Sequence, residues 1–227
     1  MHALSLIRRF RDRGDLVLPE AEAKEVLEAA GIPTTRCHIV ESAAQACSTA
    51  EAIGFPVVLK ISSPKLLHKT EAGGVVLNLR TPRELTAACE RLTARGRELD
   101  HAFTLILQQM APPGVELIAG ATADPHFGTV LMLGTGGIYT ELFRDAVFRL
   151  PPLETGVADE MIAALRSYPL LNGYRGAAKR DLAALRHLLL RLSALVSAGP
   201  EIRELEINPL VVYPRGLLAL DARIILQ

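Results

Sequence analysis

Apolar positions fall at helical spacing through residues 19–30, PEAEAKEVLEAA, with Pro19 at the first helical position and Gly31 just past the end. This pattern predicts a surface helix. RCHIV, residues 36–40, reads as a strand, and SAAQACSTAEAIG reads as a helix opened by Ser42 and closed by Gly54. The apolar run PVVLK predicts a second strand ending on Lys60, and Val75, Val76 and Leu77 begin a third after Gly73 and Gly74. TPRELTAACERLTARG predicts a helix with Thr81 as N-cap and Glu84 three residues on, in capping-box spacing.

From residue 104 the pattern changes to short runs rich in Val, Ile and Leu: TLILQQM, GVELIAGAT, GTVLMLGTGG and ELFRDAVFRL. Pro-Pro-Gly, Asp-Pro and Gly-Gly separate them, which predicts a largely antiparallel sheet. A long Leu/Ala helix, AAKRDLAALRHLLLRLSALVSAG, stops at Gly199-Pro200, its arginines alternating with an apolar stripe that faces a core. IRELEINPLVVY and LLALDARIIL then form a hairpin around Pro214-Arg215-Gly216. The whole reads as a mixed α+β chain without repeats, divided near residue 100 into parts 1–100 and 101–227.

Composition narrows the function classes. With 227 residues and 49% hydrophobic content, the chain has ample core. Lys plus Arg and Asp plus Glu are 25 each, so no global field attracts nucleic acid or an acidic membrane, and any anion site must be local. Cys37, Cys47 and Cys89 are odd in number and include no CxxC pair, which points to free thiols in a reducing cytoplasm. No apolar run reaches the roughly 18 residues that span a bilayer. The opening MHALSLIRRFRDRGD is too charged for a signal peptide.

The candidate chemistry is concentrated in GFPVVLKISSPKLLHKTEAGGVVLNL, residues 54–79, where cationic and glycine residues are confined to one bend between apolar segments. Lys60 ends an apolar strand, either as a snorkelling edge lysine or beside an anion. Lys69 has a flexible cationic tip able to follow a phosphate. Gly73 and Gly74 either make a turn or point N–H groups at a ligand. Together they resemble a phosphate cradle, although GxxxxGK[ST] and GxGxxG are both absent. His68, an ordinary imidazole by itself, would stand beside that cradle close to neutral and able to accept a phosphoryl group on nitrogen.

Glu206 and Asn208 alternate with Leu205 and Ile207 along one strand, so they share a face, and Asp221 ends the run LLAL on the adjoining strand. Two carboxylates and an amide oxygen suit Mg²⁺, which takes a few hard oxygens beside phosphates and water. The competing reading is a solvated polar sheet face.

Three stretches, PVVLKISSPKLLHKTEAGGV, GATADPHFGTVLMLGTGGIYTELFRDAVFRLPPL and ELEINPLVVYPRGLLALDARI, together resemble the ATP-grasp domain of nucleoside-diphosphate-forming acyl-CoA synthetases, the relatives of succinyl-CoA synthetase. The resemblance covers roughly residues 15–226. It implies an ATP-grasp fold of two α+β lobes with ATP or ADP between them. It further implies that Lys60 contacts phosphates, that the link from His68 to Gly74, with Lys69 and Gly73, is a mobile loop over them, and that Glu116 lies in the nucleotide pocket with Gln109 at the hinge. By the same resemblance Asn208 and Asp221 match Mg²⁺ ligands, Glu206 a glutamate supporting a phosphohistidine, and His68 a histidine relaying phosphate. Nothing in the chain resembles a CoA-binding Rossmann domain or the CoA-ligase domain with the principal phosphorylated histidine. The resemblance therefore implies a β subunit working with a CoA-binding α subunit, as an α2β2 assembly. A free-standing ligase forming an acylphosphate and an ATP-sensing module split from a larger acyltransferase are the competing readings.

Overall fold

The computed structural model of the chain describes residues 2–66, 69–136 and 145–227. Its contacts divide into two compact units: residues 35–112 form one, and residues 1–34 together with 113–227 form the other. The divisions thus fall at 34/35 and 112/113, not near residue 100. The sequence pattern changes at residue 104, where the strand Thr104–Gln109 begins, yet that strand is the last of the smaller unit, and a change of texture does not report which strands pair.

In the smaller unit, β2 (His38–Val40), β3 (Val57–Ser62), β4 (Val75–Leu79) and β5 (Thr104–Gln109) form an antiparallel sheet in the order β2-β5-β3-β4. Helices α3 (Ala43–Ile53) and α4 (Pro82–Leu99) contribute Ala46, Ala50, Leu85, Ala88, Cys89 and Leu92 to one cluster with Val57, Leu59, Ile61, Leu105 and Leu107. Both helices start where the sequence predicts. Ser42 Oγ accepts from the Gln45 N–H at 3.2 Å, and Thr81 Oγ1 accepts from the Glu84 N–H at 3.2 Å. Glu84 returns the bond to the Arg80 N–H, one residue before the expected position.

In the larger unit, α1 (His2–Asp12), β1 (Val17–Leu18) and α2 (Glu20–Ala29) precede residue 34. After residue 112 come β6 (Val115–Asp124), β7 (Gly128–Thr135), β8 (Ala146–Arg149), the helices α5 (Thr155–Ala163), α6 (Tyr168–Leu171) and α7 (Leu182–Ala198), and then β9 (Ile202–Val212), β10 (Leu217–Ala219) and β11 (Ala222–Leu226). The sheet runs β1-β11-β9-β6-β7-β8, with β10 also on β9, and its named pairings are antiparallel, as the run of short strands predicts. Its core joins Leu117, Ala119, Ala121, Leu205 and Ile207 to helix residues that include Leu6, Ile7 and Phe10 of α1 and Leu185, Leu188, Leu189 and Leu192 of α7. Each of these leucines, fully buried, contributes about 1.5–3 kcal/mol of transfer free energy.

Two expectations are narrowed here. Helix α7 begins at Leu182, not at Ala177, because the Asp181 carboxylate accepts the Ala184 N–H at 2.9 Å and the Gly216 N–H at 2.8 Å. It thereby caps the helix and ties it to the β9–β10 turn, and those two bonds hold its carboxyl below the usual carboxylate range. Helix α2 is a surface helix on one side only: Glu25 and Glu28 are exposed, but Ala23, Val26 and Leu27 are wholly buried and the charged Glu20 and Lys24 are buried with them.

Candidate functional site

Strand β3 carries Lys60 inside the sheet of the smaller unit, in register with Val75 on one side and Ile106 on the other. Leu59 and Ile61 join the core under the helices, so alternation puts Lys60 on the opposite face, where the residue is only 6% exposed. It is not a snorkelling edge lysine.

The link after β3 is fastened at both ends. Ser63 Oγ donates to Asp100 Oδ2 at 2.6 Å, and Lys65 Nζ lies 3.2 Å from Asp100 Oδ1. The Ser63 hydroxyl first, then the Ala102 N–H and Lys65, hold the Asp100 carboxyl below its usual range against the opposing effect of burial. At the far end Arg95 Nε donates to the Ala72 carbonyl at 3.0 Å. The glycine pair closes a turn: the Gly73 N–H bonds the Thr70 carbonyl at 3.1 Å, and the Gly74 N–H bonds the Lys69 carbonyl at 2.7 Å. Gly73 has φ +69°, the left-handed region that favours glycine. Both N–H groups bond within the turn, the first of the two arrangements the sequence allows. Lys69 rides on that turn. His68 lies outside the described residues. Gln109, at the end of β5, is exposed and its amide donates to the Ile53 carbonyl at 3.2 Å.

In the larger unit the structure brings Glu206, Asn208 and Asp221 together. Glu204, Glu206 and Asn208 alternate with buried Leu205 and Ile207 on β9, and Glu206 stands opposite Arg223 of β11. Arg223 Nη2 reaches Glu204 Oε1 at 2.5 Å and Glu206 Oε2 at 3.3 Å. Asn208 Nδ2 donates to Glu206 Oε1 at 3.3 Å, and the Asn208 N–H donates to the Asp221 carbonyl at 3.1 Å. On the other side Gly120 faces Glu206, and a Cβ there would come within 2.5 Å of the Leu205 carbonyl oxygen, so the close strand approach requires glycine.

With Nδ2 spent on Glu206, the acceptor that Asn208 offers is its Oδ1, and Asp221, bonded to it through the backbone, is partly exposed. One amide oxygen and one carboxylate fit Mg²⁺, which commonly takes one or two protein oxygens and completes its shell with phosphate and water. Among the described residues no three His, Cys, Asp or Glu side chains form a metal cluster.

Glu116 is exposed at the start of β6, and its carbonyl accepts the Gly136 N–H at 2.9 Å. It borders a cavity of about 370 Å³ whose lining includes Thr135, Gly136, Ser167, Tyr174 and Arg180. Behind that wall is a carboxylate that sequence reasoning missed. Asp145, 9% exposed, accepts from Thr135 Oγ1 at 2.7 Å, the Arg166 N–H at 2.8 Å and the Ser167 N–H at 2.9 Å. Burial pushes its carboxyl up, but the bonds from Thr135, Ser167 and the Arg166 N–H outweigh it and leave the group below its usual range. Arg223 was also missed, although its register opposite Glu206 follows from the hairpin once its turn is fixed.

Comparison with known proteins gives the family. The model of the ATP-grasp domain matches residues 9–226. The β subunit of ADP-forming acetate–CoA ligase II of Pyrococcus furiosus is 37% identical over 99% of this chain and 98% of its own length. The ADP-forming 4-hydroxybutyrate–CoA ligase of Nitrosopumilus maritimus is 39% identical over 91% of this chain, which spans 30% of that longer relative. An acetyl-coenzyme A synthetase of Candidatus Korarchaeum cryptofilum, solved with coenzyme A and Ca-AMPCP, superposes with a TM-score of 0.92 at 38% identity, over 99% of this chain and 100% of that one. A second structure of that synthetase holds coenzyme A and Mg-AMPPCP, with a phosphohistidine segment pointing towards the nucleotide binding site, and matches with a TM-score of 0.84 at 39% identity over the same shares. The chain belongs to the ATP-grasp domain family, and within it to the group that holds the β subunits of ADP-forming acetate–CoA ligases.

Proposed function

We propose that the chain is the nucleotide-binding β subunit of an ADP-forming acyl-CoA synthetase, which with a CoA-binding α subunit interconverts acyl-CoA, ADP and phosphate with acid, CoA and ATP. The observation that carries this reading is likeness over 98% of the length of a relative that is itself such a subunit. Lys60 meets nucleotide phosphates from β3, and Lys69 follows them from a turn shaped by Gly73 and Gly74. Gln109 and Glu116 contact the rest of the nucleotide. Asn208 and Asp221 hold Mg²⁺, which when bound neutralises charge on the transferring phosphoryl oxygens.

His68 carries the phosphoryl group between the nucleotide and the partner's histidine. In the direction of ATP formation, its N–P bond breaks while a β-phosphate oxygen of ADP forms the new P–O bond. Glu206 accepts a hydrogen bond from an imidazole N–H and so orients the phosphohistidine. Arg223, spread over Glu204 and Glu206, holds that carboxylate in place. The working form is an α2β2 assembly in the cytoplasm, with no part for nucleic acid or a membrane; among the described residues no helix is long and apolar enough to cross one.

The test is reconstitution. The chain, purified from a host lacking the α subunit, should bind Mg-ADP but make no ATP from acetyl-CoA, ADP and phosphate, and adding the α subunit should restore turnover. Turnover by the chain alone would refute the split-enzyme reading.

A further inference from the structure

Helix α2 contains a buried ion pair that the proposed function does not use. Lys24 Nζ lies 2.9 Å from Glu20 Oε1, and the side chains are 3% and 0% exposed. Two charges this deep are costly unless further bonds compensate them. Here Lys24 Nζ also donates to the carbonyl of Leu220 at 2.8 Å. Leu220 and Asp221 are the two residues between β10 and β11, both of which pair along β9.

The ladder explains why that carbonyl receives a side-chain donor. Ala219 pairs with Leu210 and Ala222 with Ile207, so Leu220 stands opposite Pro209 and Asp221 opposite Asn208. The Leu220 N–H donates to the Pro209 carbonyl at 3.0 Å, but proline has no N–H to return the bond. Lys24 brings an ammonium donor to the position that the proline leaves without a backbone one.

We infer that Lys24, held by Glu20, is a positioning residue: by standing in for the backbone donor missing at Pro209 it fixes the Leu220–Asp221 peptide, and with it the reach of Asp221 toward Asn208. The second half rests on the proposed metal role of Asp221; the first does not. Lys24 touches neither nucleotide nor metal in this assignment and acts through its bond to the Leu220 carbonyl.

The experiment compares wild type, Asp221→Ala and the double variant Glu20→Leu/Lys24→Met, which replaces the pair by apolar residues of similar volume. Two readouts are taken on the full chain: amide hydrogen exchange at Asn208, whose N–H donates to the Asp221 carbonyl, and Mn²⁺ affinity in the presence of ADP by electron paramagnetic resonance. The double variant should exchange at Asn208 at least tenfold faster and bind Mn-ADP about fivefold more weakly, with affinity for metal-free ADP unchanged. Wild-type exchange and wild-type Mn-ADP affinity in a folded double variant would overturn the inference. Should that variant fail to fold, Glu20→Gln/Lys24→Gln, which keeps a polar pair but shortens the donor, is read in the same way. If Asp221→Ala binds Mn-ADP like the wild type, the metal reading fails instead, and exchange at Asn208, which needs no metal, still decides the positioning role.

Discussion

Replacing Asp145 by alanine removes the acceptor shared by Thr135 Oγ1 and the N–H groups of Arg166 and Ser167, all in part-buried surroundings. Each buried donor left without a partner costs about 1–3 kcal/mol. Thr135 Oγ1 keeps Ser167 Oγ as an acceptor at 2.8 Å, and water entering the space of the lost carboxylate recovers some of the rest, so about 2–4 kcal/mol is expected for the two N–H groups. In a unit of this size that lowers the melting temperature by roughly 10 °C. Thr135→Val removes one donor and keeps both N–H bonds, so it should cost only about 1 kcal/mol. The carboxyl of Asp145 lies below its usual range in the folded chain, so its stabilisation is complete above the unfolded value of about 3.9 and is lost as pH falls through the lower folded value. Wild type and Asp145→Asn should therefore differ at neutral pH and converge in acid. Urea unfolding at pH 7 and pH 3 measures both effects. A loss below 1 kcal/mol for Asp145→Ala at pH 7, or a gap that widens toward pH 3, would refute the reasoning.

Asp221→Ala should fold and bind Mg-ADP at least tenfold more weakly in calorimetry, because one hard oxygen is lost from a small set; unchanged affinity would exclude it as a ligand. His68→Ala should keep nucleotide affinity within about twofold and abolish phosphoryl exchange with the α subunit, since the imidazole serves the transfer and the lysines hold the polyanion. Labelled ATP quenched during turnover should leave an acid-labile, base-stable phosphate on the wild-type chain and none on His68→Ala; full activity of that variant would make His68 structural. Burial first, then Cys47 and Glu90, pushes the Cys89 thiol up to about 11, so at pH 8 only about one molecule in a thousand is thiolate. Iodoacetamide should label the partly buried Cys37 and Cys47 and reach Cys89 only in denaturant.

What the sequence disclosed was local. Ser42 and Thr81 are legible as caps because their partners lie three residues away, and Glu206 and Asn208 share a face because strands alternate. Asp145 was illegible because its partners come from residues 135, 166 and 167, which no short pattern joins. The pair Glu20 and Lys24, four apart on a helix, looks like a solvated surface bridge; only the packing of α2 reveals that both are buried. Helix α1 is marked only by the helical spacing of Ala3, Leu6, Ile7 and Phe10, and the four arginines between residues 8 and 13 mask that stripe with charge. The division of the chain was hidden for the same reason as Asp145: β1 pairs with β11, and periodicity carries no information about partners that distant.

That pairing governs the order in which the molecule can form on the ribosome. Val17 and Leu18 find their partners only at Ile225 and Ile224, about 200 residues later. At roughly 5–20 residues per second, the edge strand waits some 10–40 s. Residues 35–112 contain all four strands of their own sheet and can close it early. Helix α1 meanwhile must keep Leu6, Ile7 and Phe10 out of wrong company until α7 is made. Its three arginines, beside that apolar stripe, then have a use before there is any native structure: they keep a nascent amphipathic segment dispersed while its core does not yet exist.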